Sequence, residues 1–308
     1  MKNLNQVRVV DPILTQHARG YTHPERVGHL LFPNVSVPLR AGKRLEFGKE
    51  SFKLYNSKRA PGAKRAEVQF GYEGLPFSLE QSSLAGKVPR EHVQEAERGP
   101  GINLQRGSIN LVMNSIDLEK EVDRATKAQN ASAYDANHKV ALAGADRWND
   151  PASKPKSDIK DAKEAVRSTA GRYPNTLILG PKAFSALDDH PTILDKFKYT
   201  SSDSVTVEML AKYFDVDRVA VGKAVYADDN DDFVDVWGKN AVLAWVPPQA
   251  SNWGEPTYGY TYQLEGMPLV EEGYWDKGTS SWLYPYTDEW SAELVGPEAG
   301  FLIQTAVD

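Results

Sequence analysis

The chain has 308 residues, a formal net charge of −6 and no cysteine, so disulfides, thiolate metal sites and thiol catalysis are excluded. Hydrophobic residues make 41% and charged residues 25%, which suits a globular protein, and the length suggests about two domains. No apolar run is fit for a signal peptide or long enough to span a bilayer, so a soluble product made in the cytoplasm is expected. The charge is uneven: residues 1–66 hold 13 Lys+Arg against 4 Asp+Glu, a net of +9, which leaves −15 for the remainder. A basic leading segment can touch polyanions while an acidic body repels them.

Residues 1–41 read as an extended arm, because Pro12, Pro24, Pro33 and Pro38 interrupt short apolar pairs. Residues 42–80 read as a long basic β-hairpin. Leu45, Phe47 and Phe52–Tyr55 form one limb, Ala66, Val68 and Phe70 alternate with polar residues in the other, and a Pro-Gly tip lies between. Such a ribbon is marginal alone and calls for a partner. Leu79 to Arg98 reads as helical with a break at Val88-Pro89. The stretch 102–130 predicts an amphipathic spine helix of roughly 29 residues, about 43 Å long. Leu104, Leu111, Leu118 and Ala125 recur every seven residues, and Ile109, Val112, Ile116 and Val122 widen the stripe. Its expected core residues are Leu104, Leu111, Leu118 and Val122.

From Pro155 the pattern becomes short alternating helices and strands. Ser157 or Asp158 is the expected cap of a helix carrying Ile159, Ala162, Ala165 and Val166. Thr176–Leu179 is a buried strand, and 183–187, 193–197 and 207–214 are short helices. Arg218–Ala224 is a strand, Asp228–Asp232 an acidic turn, and 234–237 with 241–246 a hairpin. The last 60 residues are β-rich and aromatic, and 299–307 reads as a terminal strand.

No catalytic, cofactor-binding or metal residue is assigned. The acidic turn opens like a calcium loop, but Phe233 stands where such a loop needs glycine and Lys239 where it needs glutamate. The six histidines form no recognised metal pair, and neither a G-x-S-x-G elbow nor a P-loop occurs.

The order of arm, basic hairpin, spine helix, compact α+β module and β-rich return resembles the major capsid protein of tailed bacteriophages, the Hong Kong 97-like fold. The specific stretch is Ser157 to Val246, with RYPNTLILGPKAFSALDDHPTILDKFKY, TVEMLAKYFDVDRVAVGKAVY and VWGKNAVLAWVP in the family's order. Asp11–Thr15 and Leu31–Val35 fit its arm. The resemblance implies an α+β fold with an N-terminal arm at 1–41 and an E-loop at 42–80. It implies a peripheral domain at 81–150, an axial domain at 151–267, and return strands of the peripheral domain at 268–308. It implies self-assembly into hexamers and pentamers of an icosahedral shell around double-stranded DNA, bound without sequence reading. A separate scaffolding protein, a portal and a cement protein are the further partners, with no membrane. The product would be made in the host bacterial cytoplasm and end in the virion.

Lys49, Lys53, Lys58, Arg59, Lys64 and Arg65 are the inter-subunit candidates of the E-loop, and Arg8, Arg19 and Arg26 the genome-facing candidates of the arm. The acidic turn would point outward or line a pore. The alternative is an encapsulin-like nanocompartment shell with enzyme cargo. A cytoplasmic α/β enzyme with an unrecognised site is the third reading, against which the absence of clustered catalytic residue types counts.

Overall fold

The computed structural model describes residues 10–19, 23–43, 58, 61, 64–65, 74–98, 103–197, 205–248 and 257–308. The arm is less extended than its prolines suggest. Asp11 accepts a hydrogen bond from the Leu14 amide at 3.0 Å and starts helix α1, Pro12–Arg19. Proline costs nothing in the first helical turn, where its missing N–H would have no partner. A 3₁₀ turn at Gly28–Leu30 then buries Leu31 and Phe32 completely. β1, Asn34–Val37, runs parallel to β11, Gly259–Leu264. β2, Ala41–Lys43, pairs antiparallel with β3, Pro76–Ser78, and forms the base of the ribbon expected over 42–80. The ribbon's limbs lie outside the described residues.

The segment 80–89 corrects the helical expectation. It is strand β4, Glu80–Pro89, and only after it does helix α2 begin, Arg90–Arg98. Glu, Gln, Leu and Ala favour helix locally, but a ten-residue ladder against β14, Ser281–Leu294, overrides that preference. β14 is the backbone of a six-stranded sheet. It also pairs with β11, with β12, Leu269–Val270, and with β13, Tyr274–Asp276.

The spine is helix α3, Leu104–Ala128, 25 residues long and capped by the Asn103 side chain, which accepts from the Arg106 amide. Its buried face is not the heptad line. Ile109, Val112, Met113 and Ile116 are buried against α1, β12 and β14. Leu111 lies about 200° around the helix from Ile109 and is 68% exposed. Leu104, Leu118 and Val122 are half-buried. Along the second half the buried face turns toward the segment 27–32 and Trp237, which takes in Ala125 and Ala128. Because the contact face rotates along the helix, no seven-residue line stays inside it.

The second sheet has the order β5-β15-β10-β6-β7, from Lys139–Ala141, Gly300–Gln304, Ala241–Ala244, Thr176–Leu179 and Arg218–Val221. The last strand was expected among the peripheral return strands. It enters this sheet instead, antiparallel to β10. On one face Leu177, Leu179, Leu243, Phe301 and Ile303 pack against α4, Pro155–Ala170, α5, Pro181–Asp188, α6, Pro191–Phe197, and α7, Val207–Phe214. On the other face Ile178, Val242 and Leu302 share a core with Leu31, Phe32, Trp237 and Tyr258. That second core joins the two sheets through residues from both.

Two local expectations change. α4 starts at Pro155 with Lys154 at the cap position, so Ser157 and Asp158 lie inside its first turn and neither caps it; the Asp158 carboxylate accepts the Trp148 indole N–H at 2.9 Å instead. The hairpin is not 234–237 with 241–246. β8, Val225–Ala227, pairs with β9, Phe233–Asp235, around the acidic turn, while β10 enters the sheet between β6 and β15. Trp237 is held down in between, and a Cβ on Gly222 would come 2.0 Å from its indole.

Candidate assembly surfaces

The second half of α3 replaces apolar residues with charges at the positions that continue its buried stripe. Asp117, Lys120, Glu121 and Arg124 follow Met113 and Ile116 at helical spacing, so they face the neighbouring elements, Lys120, Glu121 and Arg124 buried and Asp117 part-exposed. Charges placed there must be paired or hydrogen-bonded, since an unpartnered buried charge costs several kcal/mol.

Each of them is satisfied by a different part of the chain. The Glu121 carboxylate is 1% exposed; it accepts the Val27 amide at 2.9 Å, the Gly28 amide and the Trp237 indole N–H at 2.7 Å. It therefore ties the arm and the second sheet to the spine. The Arg124 guanidinium donates to Thr261 Oγ1 at 3.0 Å and Asn34 Oδ1 at 2.8 Å, bridging β11 and β1. Lys120 forms an ion pair with Asp288 of β14, and Gln263 donates to the same carboxylate. Lys120 is 8% exposed and Asp288 fully buried.

The base of the ribbon is fixed in a similar way. Arg40, between β1 and β2, donates from Nε and Nη2 to the two oxygens of buried Glu289 at 2.6 and 3.0 Å. The pairing raises the Arg40 pKa through that hydrogen bond. Gln81 adds a third donor at 3.3 Å. The chain that leaves toward residues 44–73 thus starts from an anchored root.

The arm candidates separate. Arg26 is 7% exposed, pairs with Asp117 and donates to Asn114, so it locks the arm to the spine and is not available to a polyanion. A local arginine in a proline-rich stretch gave no sign of that partner 91 residues away. Arg19 is exposed and donates to the carbonyls of Gly266 and Pro268. Arg8 lies outside the described residues, as do Lys49, Lys53 and Arg59. Lys58, Lys64 and Arg65 are exposed.

Two further surfaces stand out. The β8–β9 hairpin shows Phe233 at 80% and Val225 at 42% exposure beside the acidic turn. In that turn Asp228 accepts the amides of Asn230 and Asp232, which hold its carboxyl below the usual carboxylate range. Among the described residues β4 is a sheet edge, with Leu84 at 47% exposure. Among the described residues no group of three or more His, Asp or Glu could hold a metal ion, and no helix is long and apolar enough to cross a membrane.

Comparison with known proteins matches this architecture to shells. Residues 130–280 match the family described as phage major capsid protein E. The chain is 37% identical to a major capsid protein of Burkholderia phage BcepMu, over 98% of both chains. It is similar to the crystal structure of a phage-related protein from Bordetella bronchiseptica RB50, at 45% identity and a TM-score of 0.84 over 98% of both chains. At 11% identity it shares only a fold with the SrpI encapsulin of Synechococcus elongatus PCC 7942, with a TM-score of 0.57 over 98% and 97% of the two chains. The fold is the Hong Kong 97-like capsid fold.

Proposed function

The chain belongs to the phage major capsid protein family, and from that premise we propose that it assembles as hexamers and pentamers of an icosahedral head enclosing double-stranded DNA. It is a structural subunit of the virion capsid. The full-length identity to a phage major capsid protein carries the reading, and for the same reason the nanocompartment alternative is not favoured. The chain carries out no chemistry of its own in this role.

Residues 1–41 are the arm, 42–80 the E-loop, the six-stranded sheet with α3 the peripheral domain, and the five-stranded sheet with its helices the axial domain. The E-loop packs on a neighbouring subunit through Lys49, Lys53, Lys58, Arg59, Lys64 and Arg65. Arg40 on Glu289 supports this, because a ribbon rooted so firmly can transmit load to its neighbour. Arg8 and Arg19 face the genome, with salt-sensitive contacts to phosphate. A separate scaffolding protein, a portal and a cement protein complete the particle, and the subunit is made in the host bacterial cytoplasm.

Electron microscopy of the purified chain tests the reading. Rings or closed shells are expected, and a small monodisperse globule would overturn it. Deleting Lys58–Lys64 should leave a folded subunit that no longer closes shells. Normal shells from that deletion would remove the E-loop from the inter-subunit contact.

A further inference from the structure

We propose that the outer edge of β7 is a docking groove for an extended acidic peptide of another protein; the proposal goes beyond the capsid reading and does not depend on it. β7 pairs parallel with β6, from Arg218 opposite Thr176 to Val221 opposite Leu179. Among the described residues no strand lies on its other side. The Arg218 amide donates to the Asn175 carbonyl at 3.0 Å and the Gly222 amide to the Leu179 carbonyl at 2.9 Å, so the even-numbered residues bond inward. The main-chain groups of Val219 and Val221 therefore point outward, because successive residues of a strand turn their N–H and C=O to opposite sides.

That edge opens into a groove of about 410 Å³. The arm supplies one wall through Pro24 and Leu30. Phe184 of α5 and Val207 of α7 supply the other, and Ala220 and Val221 of β7 lie between them. An added strand would lay its side chains alternately on the two walls. Both walls are apolar, so the fitting strand is a short apolar run, as for any strand covered on both faces. In strand addition the main chain supplies the affinity and the side-chain pockets the specificity.

Charge indicates what bounds that run. Lys223 is exposed at one end of β7 and Arg218 at the other, and among the described residues neither forms an ion pair. Arg26 also lines the groove but is neutralised by Asp117, and Glu25 is the one carboxylate in the lining. A strand with carboxylates at its two ends would meet a cation at each. This chain supplies no such strand of its own. Its apolar runs Thr176–Leu179 and Ala241–Ala244 already lie inside the sheet, and the alternating stretch Ala66–Phe70 follows Lys64 and Arg65, which Lys223 and Arg218 would repel. The complementary occupant is therefore an apolar run flanked by acidic residues on a different protein.

Fluorescence anisotropy of the full chain tests this with a labelled peptide that has a Val-Ile-Val centre and paired aspartates at each end, and with a counterpart carrying lysines in their place. The acidic peptide should bind and the lysine peptide should bind more weakly. Val221→Pro removes one outward N–H and leaves the bonds to β6 in place, since proline is tolerated at a sheet edge. It should weaken the acidic peptide by roughly ten-fold or more. Lys223→Glu changes an exposed side chain, so it keeps the test open should the proline unfold the chain. It should weaken the acidic peptide and strengthen the lysine peptide by roughly two- to five-fold each. An acidic peptide that fails to bind the wild type, or binds it and both variants alike, would overturn the groove. Equal affinity for the two peptides would overturn the acidic occupant. Self-association of the wild-type chain that Val221→Pro abolishes would assign the groove to a second copy and overturn the proposal in that way.

Discussion

Trp237 donates its indole N–H to the Glu121 carboxylate at 2.7 Å, across 116 residues of sequence. The contact joins the spine helix to the turn that leads into β10, and the same carboxylate holds the Val27 and Gly28 amides. Glu121→Ala would leave three buried donors unpaired, each worth about 1–3 kcal/mol. The expected loss is at least roughly 3 kcal/mol in a urea titration followed by tryptophan fluorescence. Gln in place of Glu121 keeps one acceptor oxygen and should cost less. A Glu121→Ala chain as stable as the wild type would show that arm and second sheet hold to the spine by apolar contact alone.

Lys120 and Asp288 form the ion pair between spine and sheet. Lys120→Met should cost about 3–5 kcal/mol, because it strands a buried carboxylate. Adding Asp288→Asn removes the stranded charge and should restore most of the loss, so the two changes should be strongly non-additive. Additive losses in that double-mutant cycle would mean that the two side chains act separately.

How far the fold was legible depends on the range of the interaction that decides each element. α5, α6 and α7 follow from local periodicity, with prolines at the starts of α5 and α6, and β6 from an uninterrupted apolar run. β4 was misread because its partner strand begins almost 200 residues later, and the ladder outweighs local helix preference. β15 could be recognised as a strand, but nothing in GFLIQ says which sheet receives it. For the spine, existence and approximate length were legible, while the face was not. Asp117, Lys120, Glu121 and Arg124 sat in the stripe as charges, and that interruption was the available sign of a polar seam. Arg26 looked like a surface cation because its partner, Asp117, is distant in sequence.

The corrected face of α3 gives a direct contrast. Ile116 is 1% exposed and lies in the cluster with Val112, Met113 and Tyr286. Ile116→Ala should cost about 2–5 kcal/mol. Leu111→Ala, on the opposite side, should stay within about 0.5 kcal/mol. If thermal melts place the two variants together, the helix is seated differently from the geometry described.

The last expectation concerns alkaline pH. Tyr134, Tyr258 and Tyr286 are buried, and burial pushes each phenol above the ordinary value of 10.0. Tyr134 and Tyr258 also hydrogen-bond to each other, and Tyr134 Oη reaches the Ala128 carbonyl at 2.6 Å. In the unfolded chain these phenols ionise near pH 10.0; in the folded chain they stay protonated. Above that pH the folded state binds more protons than the unfolded state, so stability is full below about 10 and falls as pH rises beyond it. These three should be missing from the phenolate absorbance of the folded chain at pH 10–11 and should appear only as it unfolds. Tyr258→Phe removes one of the three ionisations, and its unfolding midpoint should fall less steeply between pH 10 and 11 than that of the wild type. Full phenolate absorbance while the secondary structure is intact would show that the core shared by the two sheets admits solvent.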